Sequence, residues 1–131
     1  MSTANKDAVC DYFACMSAGD PAASEIFAED VSWWVPQGSS LAGTYRGKKA
    51  VLEMMGAGVG AYSPDVAFEI DVQRLLAEED WVHAQVELAA AARDGTPYRN
   101  QYLFAVRLRD GLFVEVREYV DTKYVNDILG L

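Results

Sequence analysis

Two Asp-Gly pairs, Asp94-Gly95 and Asp110-Gly111, each lie between runs in which apolar and polar residues alternate. This is the strongest short-range signal for a β-hairpin, because both central residues of the tight hairpin turn need a positive φ. A further polar break, Glu78-Glu79-Asp80, precedes Trp81. The second half of the chain therefore predicts four consecutive antiparallel strands, at about 66–76, 80–92, 97–109 and 112–121, joined as a meander.

The first half carries the helical period. Ala8, Val9, Tyr12, Phe13 and Met16 predict an amphipathic helix over about 5–18, ended by Gly19. Asp20 followed by Pro21 reads as the N-cap and first position of a short second helix reaching about Phe27 or Ala28. Val31 to Val35 reads as a strand stopped by Pro36, 37–47 as a loop, and Lys48 to about Gly58 as a third helix. Val125, Ile128 and Leu129 suggest a short C-terminal helix. Helices first and a long meander afterwards give an α+β fold, a curved, mainly antiparallel sheet wrapped around the N-terminal helices. Such a sheet closed by helices makes a cone with an interior, a natural ligand cavity.

The chain has 131 residues, 51% hydrophobic and 24% charged, which fits a single domain over 1–131 with a real core. A net charge of −9 with one histidine argues against nucleic acid and against an anionic membrane surface. No apolar run approaches the roughly 18 residues of a membrane helix, and the first residues lack the basic and apolar regions of a signal peptide. Cys10 and Cys15 lie on different sides of the predicted helix and cannot form a relaxed disulfide. With no CxxC or Cys/His cluster, the expectation is reduced thiols, no metal and a cytoplasmic protein.

Strand parity locates polar residues that interrupt an apolar face. In the last strand Leu112, Val114, Val116, Glu118 and Val120 form one face, with Phe113, Glu115, Arg117, Tyr119 and Asp121 on the other. Glu118 thus stands among core positions. Either it is a carboxyl group with a raised pKa, suited to general acid or base work, or the strand ends near Arg117 and Glu118 is solvated or paired. In 97–109 the apolar face holds Tyr98, Asn100, Tyr102 and Phe104, so Asn100 and Tyr102 bring hydrogen-bonding groups to a greasy wall or cap its rim. In 80–92 the pattern places Val82, Ala84, Val86 and Leu88 inward; with both faces of the sheet covered, His83, Gln85 and Glu87 could instead form a polar ladder toward Glu118. Trp33 and Trp34 must face opposite ways, one into the cavity wall and one outward. Gly56, Gly58 and Gly60 follow a helix instead of joining strand to helix, so they read as a cavity rim beside Tyr62 and not as a phosphate loop.

The run Tyr12-Phe13, Ala18-Gly19-Asp20, Phe27 to Val31, Pro36, then Gly43 and Gly47 before a helix resembles the SnoaL-like proteins of the nuclear-transport-factor-2-like superfamily. The ending Val116-Arg117-Glu118-Tyr119-Val120-Asp121 is similar to their last strand. The resemblance implies a cystatin-like cone fold. It leaves the reaction open, because that fold hosts many chemistries and non-catalytic binders. Of the ketosteroid isomerase groups only the helix-1 tyrosine has a match, Tyr12; the two aspartates fall at Val35 and near Phe104. Carried over from limonene epoxide hydrolases, two carboxylates fall on Glu87 and Glu118 and the bridging arginine on Gln85, which favours the cavity ladder with His83 as a substitute donor. SnoaL-like cyclases use an acid near the sheet end, matching Glu118 or Asp121.

These readings together predict a cofactor-free isomerase, cyclase or hydrolase acting on a small hydrophobic cyclic compound. Glu118 (or Asp121) would be the base and Glu87 or His83 its partner. Tyr12, Gln85, Asn100 and Tyr102 would orient the ligand against a wall of Trp33, Met55, Tyr62 and Phe104. The alternative is a non-catalytic ligand- or protein-binding module of the same fold. A homodimer through the outer sheet face, with Phe113, Arg117 and Tyr119 at the interface, suits either.

Overall fold

The computed structural model describes residues 2–131. Helix α1 spans Ser2–Ala18 and is followed by a 3₁₀ turn over Pro21–Ile26, whose N-cap Asp20 accepts the Ala22 N–H at 2.9 Å. Strand β1 covers Phe27–Val35, β2 Gly43–Arg46, and helix α2 Lys48–Val59. The meander follows as β3 Glu69–Glu78, β4 Trp81–Ala91, β5 Pro97–Arg109 and β6 Leu112–Val120, and helix α3 Thr122–Leu129 closes the chain. The six strands form one sheet in the order β2-β1-β6-β5-β4-β3, antiparallel except for the parallel β1–β6 pair. Asp110 and Gly111 both take positive φ, 54° and 79°, as the tight β5–β6 turn requires.

The sheet curls around α1, which packs on β3 and β4, while α2 packs on β1. Val9, Tyr12 and Phe13 of α1 are buried against Phe27, Val31, Val82, Val106 and Val116 of the sheet. Burying side chains of this size stabilises the fold by roughly 1.5–3 kcal/mol each relative to exposure. Three departures from the sequence reading have local causes. The 37–47 loop contains β2, whose pairing with β1 supplies the hydrogen bonds that Gly- and Ser-rich backbone would otherwise leave to water. A bulge at Gln73 shifts the β3–β4 register between Val72 and Arg74, so Leu75 and Ala77 turn inward and Leu76 turns out. A second bulge, at Val114, lets both Phe113 and Val114 be buried while Leu112 is exposed. Phe113 is therefore core, packed against Tyr12 and Phe27, and not the interface residue that unbroken parity predicts.

Candidate functional site

Because the second bulge lies before Glu115, parity is regular from there to the end of β6. Val116, Glu118 and Val120 face inward. Glu118 stands opposite Phe104 of β5, and Tyr102 stands opposite Val120. The inner face of the sheet, α1, α2 and α3 enclose a cavity of about 160 Å³. A cavity near 150 Å³ lined by Leu, Ile and Phe is known to hold a benzene ring, so this one is sized for a small cyclic molecule. Its walls are almost entirely apolar. Phe13 and Met16 come from α1, Met54 and Met55 from α2, and Val86 and Leu88 from β4.

Into this space Glu118 brings the one carboxylate side chain among the residues lining the cavity. Trp33 of β1, paired in register with Val116, donates its indole N–H to one Glu118 oxygen at 3.2 Å. The second oxygen makes no hydrogen bond among the described residues. Since no buried side-chain polar atom there lacks a partner, that oxygen faces the open cavity. No Arg or Lys pairs with Glu118 among the described residues. Loss of water around the carboxylate pushes its pKa from the ordinary 4.5 up to about 7, and the Trp33 N–H only partly offsets this.

Three tyrosines and Ser39 supply the other polar side chains of the lining. Tyr12 lines the cavity beside Phe113 and Phe13, and its hydroxyl, unbonded among the described residues, also faces the cavity. Burial and the Glu118 charge hold its pKa far above the usual range, so it stays a neutral O–H donor. Tyr62 and Tyr102 line the cavity too, and burial raises both in the same way. Behind them Tyr98 shares a 2.6 Å hydrogen bond with Tyr102. Trp33, Met55 and Phe104 complete the expected wall, with Phe104 stacked parallel to Tyr102 at 5.5 Å.

Five expected site residues lie elsewhere. On β4 the register pairs Ala84 with Phe104 and Val86 with Tyr102, so the apolar set faces in and His83, Gln85 and Glu87 face out. Glu87 is ion-paired with Arg99 and receives the Gln101 amide at 2.8 Å, while Gln85 bonds Gln73 at 3.3 Å. The physical reason is that a one-residue offset reverses the face a strand presents, and burying Val82, Ala84 and Val86 outweighs any arrangement that sinks three polar side chains. The Glu87–Glu118 pair and the His83 donor are therefore corrected. Asp121 is exposed and caps α3, accepting the N–H groups of Lys123 and Tyr124 at 3.0 and 3.3 Å. Asn100 is buried but stands behind the wall, donating to the Tyr98 hydroxyl at 3.0 Å.

The sequence reading omitted the C-terminal wall. Val125, Leu129 and Leu131 line the cavity, and Asn126 ties α3 to the Gly38 carbonyl at 2.9 Å. The Val125-Leu129 spacing, one face of a capped helix, was the available signal. Tyr98 carried a signal as well, four residues before Tyr102 on the inward parity of β5.

The family model of the SnoaL-like domain matches residues 9–116. Among curated proteins none matches the chain in sequence. A protein from Xanthomonas campestris described as having a cystatin-like fold is 26% identical, with a TM-score of 0.84 and coverage of 97% of this chain and 98% of that one. Bal32a from a soil-derived mobile gene cassette is 22% identical, with a TM-score of 0.84 and 98% of both chains covered. TerC, crystallised with polyporic acid, is 17% identical, with a TM-score of 0.85, 98% of this chain and 99% of that one covered.

Proposed function

The chain belongs to the SnoaL-like domain family, and we propose that it is a cofactor-free acid–base enzyme that moves a proton on a small hydrophobic cyclic compound. The observation that carries this reading is Glu118: an unpaired carboxyl with one oxygen free, on the wall of an apolar cavity, with its pKa near 7. At that value the group is part carboxylate and part acid near neutral pH, so one side chain serves as base and then as acid. Glu118 takes the proton from a carbon next to a ring carbonyl, and the electron pair moves to the carbonyl oxygen to give an enolate. A neutral tyrosine O–H in the cavity wall stabilises that oxygen. Where the enolate is conjugated with a ring double bond, the protonated Glu118 returns the proton to the far carbon of that system, which is isomerisation; where the enolate carbon instead attacks a second carbonyl, Glu118 gives its proton to the alkoxide that forms, which completes an aldol-type closure.

The epoxide-hydrolase pattern needs a second carboxylate beside Glu118. With Glu87 and His83 on the outer face, the described residues lining the cavity supply none, which disfavours that branch. TerC, of the same fold, was crystallised with polyporic acid, which supports a small organic ligand here. The test is solvent deuterium exchange into a panel of cyclic ketones and enones, followed by NMR. Exchange by the wild type that is lost in Glu118→Gln supports the reading. Equal exchange by both proteins excludes Glu118 as the base, and no exchange with saturable binding leaves a ligand-binding module.

A second copy of this chain is the partner the outer face suits. Leu76, Leu103 and Tyr119, at 62%, 36% and 42% exposure, line one concave groove with Trp81 and His83. Arg117 at its edge lies 4.2 Å over the Trp34 ring and donates to the Tyr119 hydroxyl at 2.9 Å. Aromatic and Arg side chains held rigid in this way are characteristic of interfaces. The thiols of Cys10 and Cys15 are unpaired, which supports a reducing, cytoplasmic setting.

A further inference from the structure

We propose that the groove between the C-terminal end of α1 and residues 59–68 is a second compartment of the ligand site, and that it seats a short aliphatic chain carried by the ring in the cavity. This rests on the proposed function only in placing a cyclic ligand in the cavity, and it adds the substituent that such a ligand carries.

Met16, Val59, Tyr62 and Phe68 line both the cavity and the groove. The boundary between the two spaces is therefore made of side chains, with the Tyr62 and Phe68 rings meeting edge to face at 4.9 Å. Met16 is unbranched and flexible, so it can swing aside without disturbing the backbone of α1. The chain beyond α2 is held in place. The Ser63 N–H donates to the Ala91 carbonyl at 2.8 Å, and the Arg93 N–H donates to the Ala61 carbonyl at 3.2 Å. The groove is thus preformed against the turn that joins β4 to β5.

The chemistry of the walls selects the guest. Each charged or hydroxyl side chain that lines the groove is held by the protein itself. The Ser17 hydroxyl accepts the Ile70 N–H at 3.2 Å, the Ser63 hydroxyl accepts that of Asp65 at 3.2 Å, and Asp20 accepts that of Ala22 at 2.9 Å. Arg93 donates to the Gly60 carbonyl at 2.7 Å and stands exposed at the rim. Tyr62 directs its hydroxyl inward, to Tyr98 and Tyr102. The surface left to meet a guest is apolar: Val59, Pro64, Val66, Ala67 and Phe68. Val59 and Val66 are 49% and 44% exposed, and an apolar guest would withdraw them from water. The cavity, at about 160 Å³, has room for one ring, so a substituent on that ring must leave it. Phe68 lines both spaces, and Val66, two residues before it, lines the groove alone. Two residues span at most about 7 Å, within reach of a chain of about five carbons.

The probes are 4-propylphenol and 4-pentylphenol, titrated by calorimetry at pH 7. Each methylene that leaves water for the groove should tighten binding about fourfold, so pentylphenol should bind about fifteenfold more tightly than propylphenol. Val66→Asp puts a charge where the chain ends and should cut that ratio at least about threefold. Val66→Ser, which adds no charge, serves if the Asp variant does not fold. Intermolecular NOEs should join the terminal methyl of the pentyl chain to Val66 and the ring protons to Phe104. A ratio near one in the wild type, a ratio that both variants keep, or a chain end that meets Phe104 with the ring outside overturns the proposal. So does a groove covered by a second copy, seen as a wild-type mass by light scattering that Val66→Asp lowers. If the ratio holds and Glu118→Gln exchanges ketone protons as fast as the wild type, the groove stands and the base reading fails. If exchange depends on Glu118 while the ratio is near one, the groove alone fails.

Discussion

Replacing Glu118 by Gln should change how stability depends on pH, and the size of the change follows from the site. A carboxyl whose pKa is 4.5 in the unfolded chain and about 7 in the fold binds its proton more tightly when folded. Between those values the folded state holds more protons than the unfolded one, so this group's contribution is fully present below about pH 4.5 and is lost as pH rises through 7. Above pH 7 the fold carries an ionised carboxylate without adequate solvation, at a cost of about 3 kcal/mol. The amide introduced by Glu118→Gln cannot ionise and removes that cost while keeping an oxygen to accept the Trp33 N–H. For a domain of this size about 3 kcal/mol corresponds to roughly 10 °C in Tm. The assay is thermal unfolding of both proteins from pH 5 to pH 8.5, read as the difference in Tm at each pH. Subtraction cancels most of the self-repulsion of this acidic chain, whose net charge of −9 changes by one unit in the variant. The Gln variant should gain on the wild type steadily from pH 5 to 7 and then hold its advantage. A difference that stays constant across the range would mean that Glu118 titrates as an ordinary surface carboxyl, and the argument from burial would be refuted.

Other expectations follow from the same contacts. Trp33→Phe removes the one hydrogen bond that lowers the Glu118 pKa, so carboxyl carbon chemical shifts should place the transition above that of the wild type. Asp121→Ala removes the N-cap of α3 and should cost about 1 kcal/mol; amide exchange over residues 122–129 should accelerate, and ligand affinity should fall, because α3 walls the cavity. The proposed pairing of two copies through the outer groove is tested by Leu76→Asp, a charge at its most exposed leucine: light scattering should give a dimer for the wild type and a monomer for the variant, without loss of Tm beyond that expected from dissociation.

The alternating runs and the two Asp-Gly turns determined the meander, because hairpin pairing is local; Asp110 and Gly111 both take the positive φ of the tight turn, whereas at the other pair only Gly95 does. The same parity put Glu118 on the inward face, and β6 keeps regular pairing from Glu115 onward. Parity failed where a bulge intervened. One extra residue at Val114 turned Phe113 from a surface residue into core, and one at Gln73 exposed Leu76. Nothing local in either segment announces a bulge, since it is the partner strand and the curvature of the sheet that select it.

For β4 the apolar pattern and the family resemblance pointed to opposite faces. Packing resolved this in favour of the pattern, because Tyr102 and Phe104 face inward and carry Ala84 and Val86 with them. Asp121 looked like a second acid until the strand ended one residue earlier and its side chain became a helix cap. The order of residues thus dictates the elements, their succession and the one carboxyl set among apolar neighbours. Which polar residues share the cavity with that carboxyl is settled in three dimensions, because it depends on register across strands and on helices closing from both ends of the chain. Sequence spacing carries no term for either.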